Sequence, residues 1–252
     1  MSLQPFETNY AVRGYDCNYG GPLKPLALAN FFQESAGDHA TTLGLGMEAM
    51  LAAGHTWMLS RIDIEIEDLP REGDIVTVRT WPAGSRRVFA MRYLELLAAD
   101  GRRLAGALYD YIIIDLSVRK IVRPEHVVDA TVKIDRPAPY ADLAPGLQDA
   151  AGFSPVPPEG WSKAYSMDVG HRHIDNNGHV NNAHFVDWLC DAVPPEGRGT
   201  GIPERIKVDF VSEVVAGESV TAWTKADAAS GGRLSALTRG GSVVARAFTR
   251  WR

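Results

Sequence analysis

Between residues 26 and 52 apolar side chains recur at three- and four-residue steps, with Leu28, Phe31, Phe32, Ala36, Ala40 and Leu43 on one side of a predicted helix. Pro22 and Pro25 suit its start. Downstream the period changes to two. Alternating apolar and polar positions at 58–67, 74–81, 86–98 and 103–115 predict four strands, with turns at Gly73 and at Asp100-Gly101. A second helix is predicted over about 182–192, where Phe185, Leu189 and Val193 share a face and Pro194-Pro195 ends it. Strands at 205–212, 219–227, 233–239 and 242–251 follow, the last two joined at Gly240-Gly241. Extended segments at 6–13 and 164–169 precede the two helices. One long helix beside a run of antiparallel strands is an α+β layer arrangement, and the chain writes it twice.

The repeat has a register. Arg61 begins an alternating run and Gly73 follows twelve residues later; Arg205 and Gly217 stand at the same spacing. Leu104, Ala105, Ala107 and Tyr111 after Asp100-Gly101 match Val244, Ala245, Ala247 and Trp251 after Gly240-Gly241. Asp16-Cys17-Asn18 and Asp175-Asn176-Asn177 each lie ahead of a helix, an alignment that sets Gly20 against His179. Self-similarity in one order points to duplication. The expected organisation is an N-terminal domain at 1–136, a linker rich in Pro, Ala, Gly and Asp at 137–160, and a C-terminal domain at 161–252.

Composition narrows the function classes. With 45% hydrophobic and 23% charged residues, the 252-residue chain can bury its cores without disulfides or metal. The net charge of −5, with both signs scattered, argues against a nucleic-acid partner. No apolar run is long enough to span a bilayer, and the N-terminus lacks a basic region followed by an apolar one. The only cysteines, Cys17 and Cys190, have neither redox nor zinc spacing, so a reducing cytoplasm is expected.

Candidate chemistry concentrates between His171 and His184, which hold four of the seven histidines. In an extended chain Asp175, Asn177 and His179 would point the same way, although Asn-Asn-Gly can bend the chain. A helix N-terminus follows, where unpaired N–H groups attract negative charge. A carboxylate, an imidazole, a carboxamide and a helix start suit acyl transfer to water, one group taking the proton and donors holding the oxyanion. A polar loop capped by Asn181 or Asn182 explains the same residues without chemistry; on the residues alone both remain open. His171, His173 and Asp175 also resemble the start of a metallo-hydrolase motif, but the antiparallel context does not suit that fold. There is no G-x-S-x-G elbow, and Cys190 inside an apolar helix reads as packing.

Asp175, Asn177, His179, Val180, Asn181 and Asn182, followed by Phe185, Trp188 and Pro194, resemble the active-site segment of the plant and bacterial acyl-acyl carrier protein thioesterases. In the first half Asn30, Gln33, Glu34, Ala36, His39 and Ala40 agree, as do Trp57, Leu59, Arg61, Gly73, Asp74, Thr80 and Trp81. The resemblance covers about 6–125 and 164–251. It implies a tandem (double) hotdog fold, hydrolysis of fatty acyl thioesters on acyl carrier protein, and no cofactor. It implies catalytic roles for Asp175, Asn177, His179 and a glutamate on the strand after the helix, best matched by Glu213. Plant members carry a cysteine after that glutamate; Val214 stands here. It also implies that the first half holds much of the acyl pocket. Phe31, Phe32 and Met58 are the expected acyl contacts, and Asn181 and Asn182 the expected contacts near the reacting group. Alternatives are a coenzyme A thioesterase of the same fold, a metal-dependent hydrolase using His171, His173 and Asp175, and a non-catalytic acyl-binding module. A homodimer is allowed but not required.

Overall fold

A computed structural model describes residues 4–129, 132–143, 147, 160–199 and 201–252. The chain divides into two compact units, one formed by residues 1–23 and 30–145, the other by residues 24–29 and 146–252. Both are α+β hotdogs, a helix laid on an antiparallel sheet, and the strand order is the same in each.

In the first unit β1 (Phe6–Ala11), β3 (Ile75–Arg86), β4 (Phe89–Ala98), β5 (Arg103–Asp115) and β2 (His55–Ile66) lie side by side in that order. A short β6 (Lys120–Val122), which no sequence pattern predicted, folds back on the end of β5. In the second unit β7 (Ser162–Asp168), β9 (Ser219–Asp227), β10 (Gly232–Arg239), β11 (Ser242–Trp251) and β8 (Pro203–Phe210) repeat the order. Such agreement between halves is what a duplicated unit requires.

Helix α1 (Pro25–Thr42) turns Phe32, Ser35, Ala36 and His39 inward. Phe32 is fully buried, edge-on to Tyr109 of β5, while Phe31 stacks on Tyr10 of β1 at 4.4 Å. The helix does not run to 52 as its period predicts. Two glycines interrupt it, Gly44 with φ +72° and Gly46, and a separate α2 (Met47–Ala52) follows. Glycine favours exactly such left-handed helix ends. Trp57 Nε1–H donates to the Leu45 carbonyl at 2.8 Å, pinning the break.

Helix α3 (Asn182–Asp191) lies against β10 and β11. Phe185 meets Phe210 of β8, and the Tyr165 hydroxyl of β7 donates to the Trp188 carbonyl at 2.6 Å. The core includes Trp81, Tyr109, Ile62 and Leu94 in the first unit and Leu189, Ile206 and Leu237 in the second. The described part of the expected linker is tied down. A Cβ on Gly106 of β5 would sit 2.5 Å from Pro139 and 2.6 Å from Tyr140, so only glycine lets that segment cross the strand. The Tyr140 hydroxyl donates to Glu67 at 2.8 Å. Most of the remaining linker lies outside the described residues.

One polar contact in the first unit is costly to protonate. Buried His39 faces Arg92 through Nδ1 at 3.0 Å, and Arg92 also donates to Thr80 at 3.2 Å. Burial first, and the Arg92 charge second, push the His39 pKa down to about 4. In the unfolded chain His39 regains its ordinary value near 6.5, so between about 6.5 and 4 only the unfolded state binds that proton. Stability should therefore fall as pH drops through that window. His39→Gln, which keeps an acceptor for Arg92, should show a shallower fall in urea unfolding; an unchanged slope would exclude His39 as a contributor.

Candidate active site

Strand β7 leads through a single 3-10 turn, His171–His173, into the segment that carries the candidate chemistry. Ile174 and Val180 bridge, and between them the chain closes tightly. Asp175 N–H donates to the His179 carbonyl at 2.9 Å and Gly178 N–H to the Asp175 carbonyl at 3.0 Å. The Asp175 carboxylate accepts the Asn177 N–H at 2.8 Å, and Gly178 has φ +81°. This is an Asx turn. The extended alternation that would aim Asp175, Asn177 and His179 in one direction is absent, because the local side-chain bond and Asn-Gly win over extension. Asp175 is half-buried, with one oxygen bonded within the turn, and Asn177 is exposed.

The turn delivers His179 to Glu213, with Nε2 and Oε2 3.1 Å apart. Glu213 is not on a strand as the resemblance implied: β8 ends at Phe210, and Glu213 belongs to the loop of residues 211–218. Val180 N–H donates to the Val214 carbonyl at 2.8 Å, so the residues after His179 and Glu213 are joined directly. Gly217 N–H donates to Val169 O at 2.8 Å and Val169 N–H to Glu218 O at 2.8 Å, anchoring the loop to the end of β7. Arg239 at the end of β10 donates to the Glu213 carbonyl at 2.8 Å. No motif singled it out.

Asn181 caps α3: its side chain accepts the Ala183 N–H and its carbonyl the His184 N–H, both at 2.9 Å. Those two amides are therefore engaged inside the cap, and the helix start offers less than the open donor set expected from sequence. Asn182 is the first helical residue and half-buried. The expected acyl contacts differ in exposure: Phe32 is core, Phe31 is nearly so, and Met58 on β2 is 37% exposed.

His173, offered as a metal ligand, is buried edge-on to His184 and Trp188 and takes a hydrogen bond from Arg172 Nε at 3.0 Å. Burial, then His184 and Arg172, lower its pKa. His171 is exposed. Among the described residues no group of three or more His, Cys, Asp or Glu side chains is placed to hold a metal ion. Cys190 is 3% exposed, and burial, then Asp187 and Asp191, hold its thiol far above the ordinary range. A thiol so held is a poor nucleophile. Asp187, beside it on α3, is raised to about 6 by burial and then by Asp191.

The first unit contains the same turn without the chemistry. Asn18 N–H donates to Pro22 O at 2.8 Å, Gly21 N–H to Asn18 O at 2.9 Å, and Leu23 N–H to Pro70 O at 2.9 Å. These bonds set Asn18 where Asp175 stands, Gly20 at Asn177, Pro22 at His179 and Leu69 at Glu213. The sequence alignment, which matched Asp16 with Asp175, is displaced by two residues. Asp16 instead accepts the Arg13 N–H at 2.9 Å, closing its own turn.

Fold and site together define a tandem hotdog protein whose second half carries a histidine–glutamate pair in direct contact. The chain belongs to the acyl-ACP thioesterase family: the N-terminal domain of that family matches residues 4–142 and the C-terminal domain residues 159–252. A chloroplastic acyl-[acyl-carrier-protein] hydrolase of Cuphea viscosissima is 25% identical over 98% of this chain and 62% of its own length. The chloroplastic oleoyl-acyl carrier protein thioesterase 1 of Arabidopsis thaliana is 22% identical over 93% of this chain and 67% of its own. The chain thus spans about three-fifths to two-thirds of these relatives. Among solved structures, an acyl-ACP thioesterase from Bacteroides thetaiotaomicron superposes with a TM-score of 0.83 at 22% identity, covering 98% of both chains. The 12:0-ACP thioesterase from Umbellularia californica gives 0.81 at 22% identity, over 100% of this chain and 99% of its own. Among the described residues no helix is long and apolar enough to cross a membrane.

The burial of Cys190 has a direct chemical readout. In native protein an aromatic disulfide reagent should modify Cys17, which is partly exposed, and reach Cys190 only after denaturant is added. Rapid modification of Cys190 in the native state would return the thiol to consideration as nucleophile.

Proposed function

We propose that the chain hydrolyses fatty acyl thioesters carried on acyl carrier protein, releasing fatty acid and free carrier. The observation that carries this reading is the 3.1 Å pairing of His179 with Glu213 in the second domain of a chain of this family. Glu213 accepts Nε2–H and so orients the imidazole, leaving Nδ1 as the base that takes a proton from water. The hydroxide attacks the thioester carbon, and the developing oxyanion is held by the Asn177 carboxamide. Collapse breaks the carbon–sulfur bond, and the imidazolium returns its proton to the leaving thiolate. Asp175 holds the turn that aims His179.

Phe31 and Met58 are the proposed acyl contacts, Phe32 being core, and Asn181 and Asn182 are the proposed contacts near the reacting group. The relatives' names span 12:0, palmitoyl and oleoyl chains, so membership of the family leaves chain length open. All four proposed catalytic side chains belong to one chain, and a homodimer is not needed for the chemistry. Cysteines 17 and 190, held as thiols, fit a reducing compartment, and the cytoplasm is the proposed location.

The test compares matched acyl chains on carrier protein and on coenzyme A. Turnover should favour the carrier-linked substrate, and a preference for coenzyme A would transfer the activity to that class. Asp175→Ala, His179→Ala and Glu213→Gln should each lower kcat by about 10²–10⁴-fold with the fold retained. Cys190→Ser should leave kcat unchanged. Full activity in folded Glu213→Gln protein would remove the carboxylate from the mechanism.

A further inference from the structure

We infer that Arg239 is a positioning residue for the proposed base, acting through the backbone of Glu213. The inference rests on the catalytic reading of the His179–Glu213 pair. Arg239 lies at the end of β10, and its guanidinium gathers the loop that carries Glu213. Nη1 donates to the Glu213 carbonyl at 2.8 Å and to both Glu218 carboxylate oxygens at 2.9 and 3.2 Å; Nη2 lies 3.4 Å from the Ser212 hydroxyl. Glu218 also accepts the Val215 N–H at 2.9 Å. The loop is thus gripped on both sides of Glu213, at Ser212 and at Val215, as well as at its own carbonyl. The Val180–Val214 bond fixes the next residue against the His179 turn. A side chain with one carbonyl clamped and the adjacent carbonyl bonded has little freedom to swing away from its imidazole.

The duplicated half supplies the control. There the equivalent loop closes by the same device, Arg71 N–H donating to the Asp74 carboxylate at 2.8 Å. Val76 is the counterpart of Val220, three residues past the shared glycine, and pairs with Ala98. Thr238 pairs with Thr221, so one further step along the ladder sets Arg239 where Ala98 stands. The first half has Leu69 in place of Glu213 and alanine in place of the arginine, yet its loop keeps the same backbone bonds. Folding of the loop therefore does not demand the guanidinium. The half with the proposed chemistry has both the arginine and a longer acid, Glu218 rather than Asp74, able to cap the loop and meet Arg239 at once. Because the ion pair is about one-third exposed, its share of global stability is small. Placement of Glu213 is what it changes.

Arg239→Met and Arg239→Lys are the decisive variants, measured with acyl-carrier substrate. Arg239→Met should lower kcat by about 10²-fold with KM and melting temperature little changed, as expected when a catalytic group is displaced by about an ångström. Arg239→Lys, which can still reach the Glu213 carbonyl, should recover part of the loss. In a double-mutant cycle Arg239→Met should cost almost nothing once Glu213→Gln is present. Wild-type kcat in Arg239→Met, or losses that simply multiply with Glu213→Gln, would overturn the inference. A second readout does not need turnover. The side-chain ¹⁵N spectrum of His179 should change in Glu213→Gln, and Arg239→Met should reproduce that change, whereas an unaltered spectrum in Arg239→Met would also overturn the inference. Wild-type protein that hydrolyses no acyl-carrier thioester would sink the functional reading, and the spectral comparison would still decide the role of Arg239.

Discussion

One backbone hydrogen bond holds the site together: the Val180 amide donating to the Val214 carbonyl at 2.8 Å. His179 sits on a turn before α3, and Glu213 sits on a loop after β8, with no covalent reason to meet. The bond joins the residues that follow each of them, so the two side chains leave neighbouring backbone positions. Everything else serves to make that bond obligatory. The Asx turn at Asp175 sets the direction of the chain into Val180, the Asn181 cap starts the helix directly after it, and Val169 anchors the far end of the loop. A buried amide without a partner is expensive, and Val180 is buried, so the loop cannot drift without exposing that cost.

Much of the fold was legible because its signals are local. The strands predicted at 103–115, 219–227 and 242–251 occur with those bounds, each an alternating run closed by glycine-marked turns. The helix predicted to reach 52 stops at Thr42, since Gly44 and Gly46 interrupt an apolar period that continues through them. Periodicity records which side faces the core; it is blind to a backbone break that keeps the phase.

The site was legible only in part, for a related reason. Asp175, Asn177 and His179 were found as a motif, but their geometry follows from a side-chain-to-backbone bond that alternation ignores. Glu213 came from family resemblance, and its real place is a loop rather than a strand. Arg239 left no trace in sequence because its partners lie 21 and 26 residues away, across a sheet and a loop. Contacts of that range are set by register, which a single sequence does not state.

The duplicated architecture separates what the fold requires from what chemistry requires. In the first unit the turn, the loop and the bond between them recur with Pro22, Leu69 and Ala98 at the positions of His179, Glu213 and Arg239. Proline offers no side-chain donor or acceptor and leucine no charge, yet the Leu23–Pro70 bond forms at 2.9 Å, against 2.8 Å for its counterpart. The backbone scaffold is therefore indifferent to the side chains it presents. The backbone bonds do not call for an imidazole, a carboxylate and a guanidinium at three such positions in one half, and a half-exposed histidine–glutamate pair adds little stability of its own. What the scaffold leaves unexplained is where a function is to be sought, and that is why the proposed chemistry is assigned to the second unit.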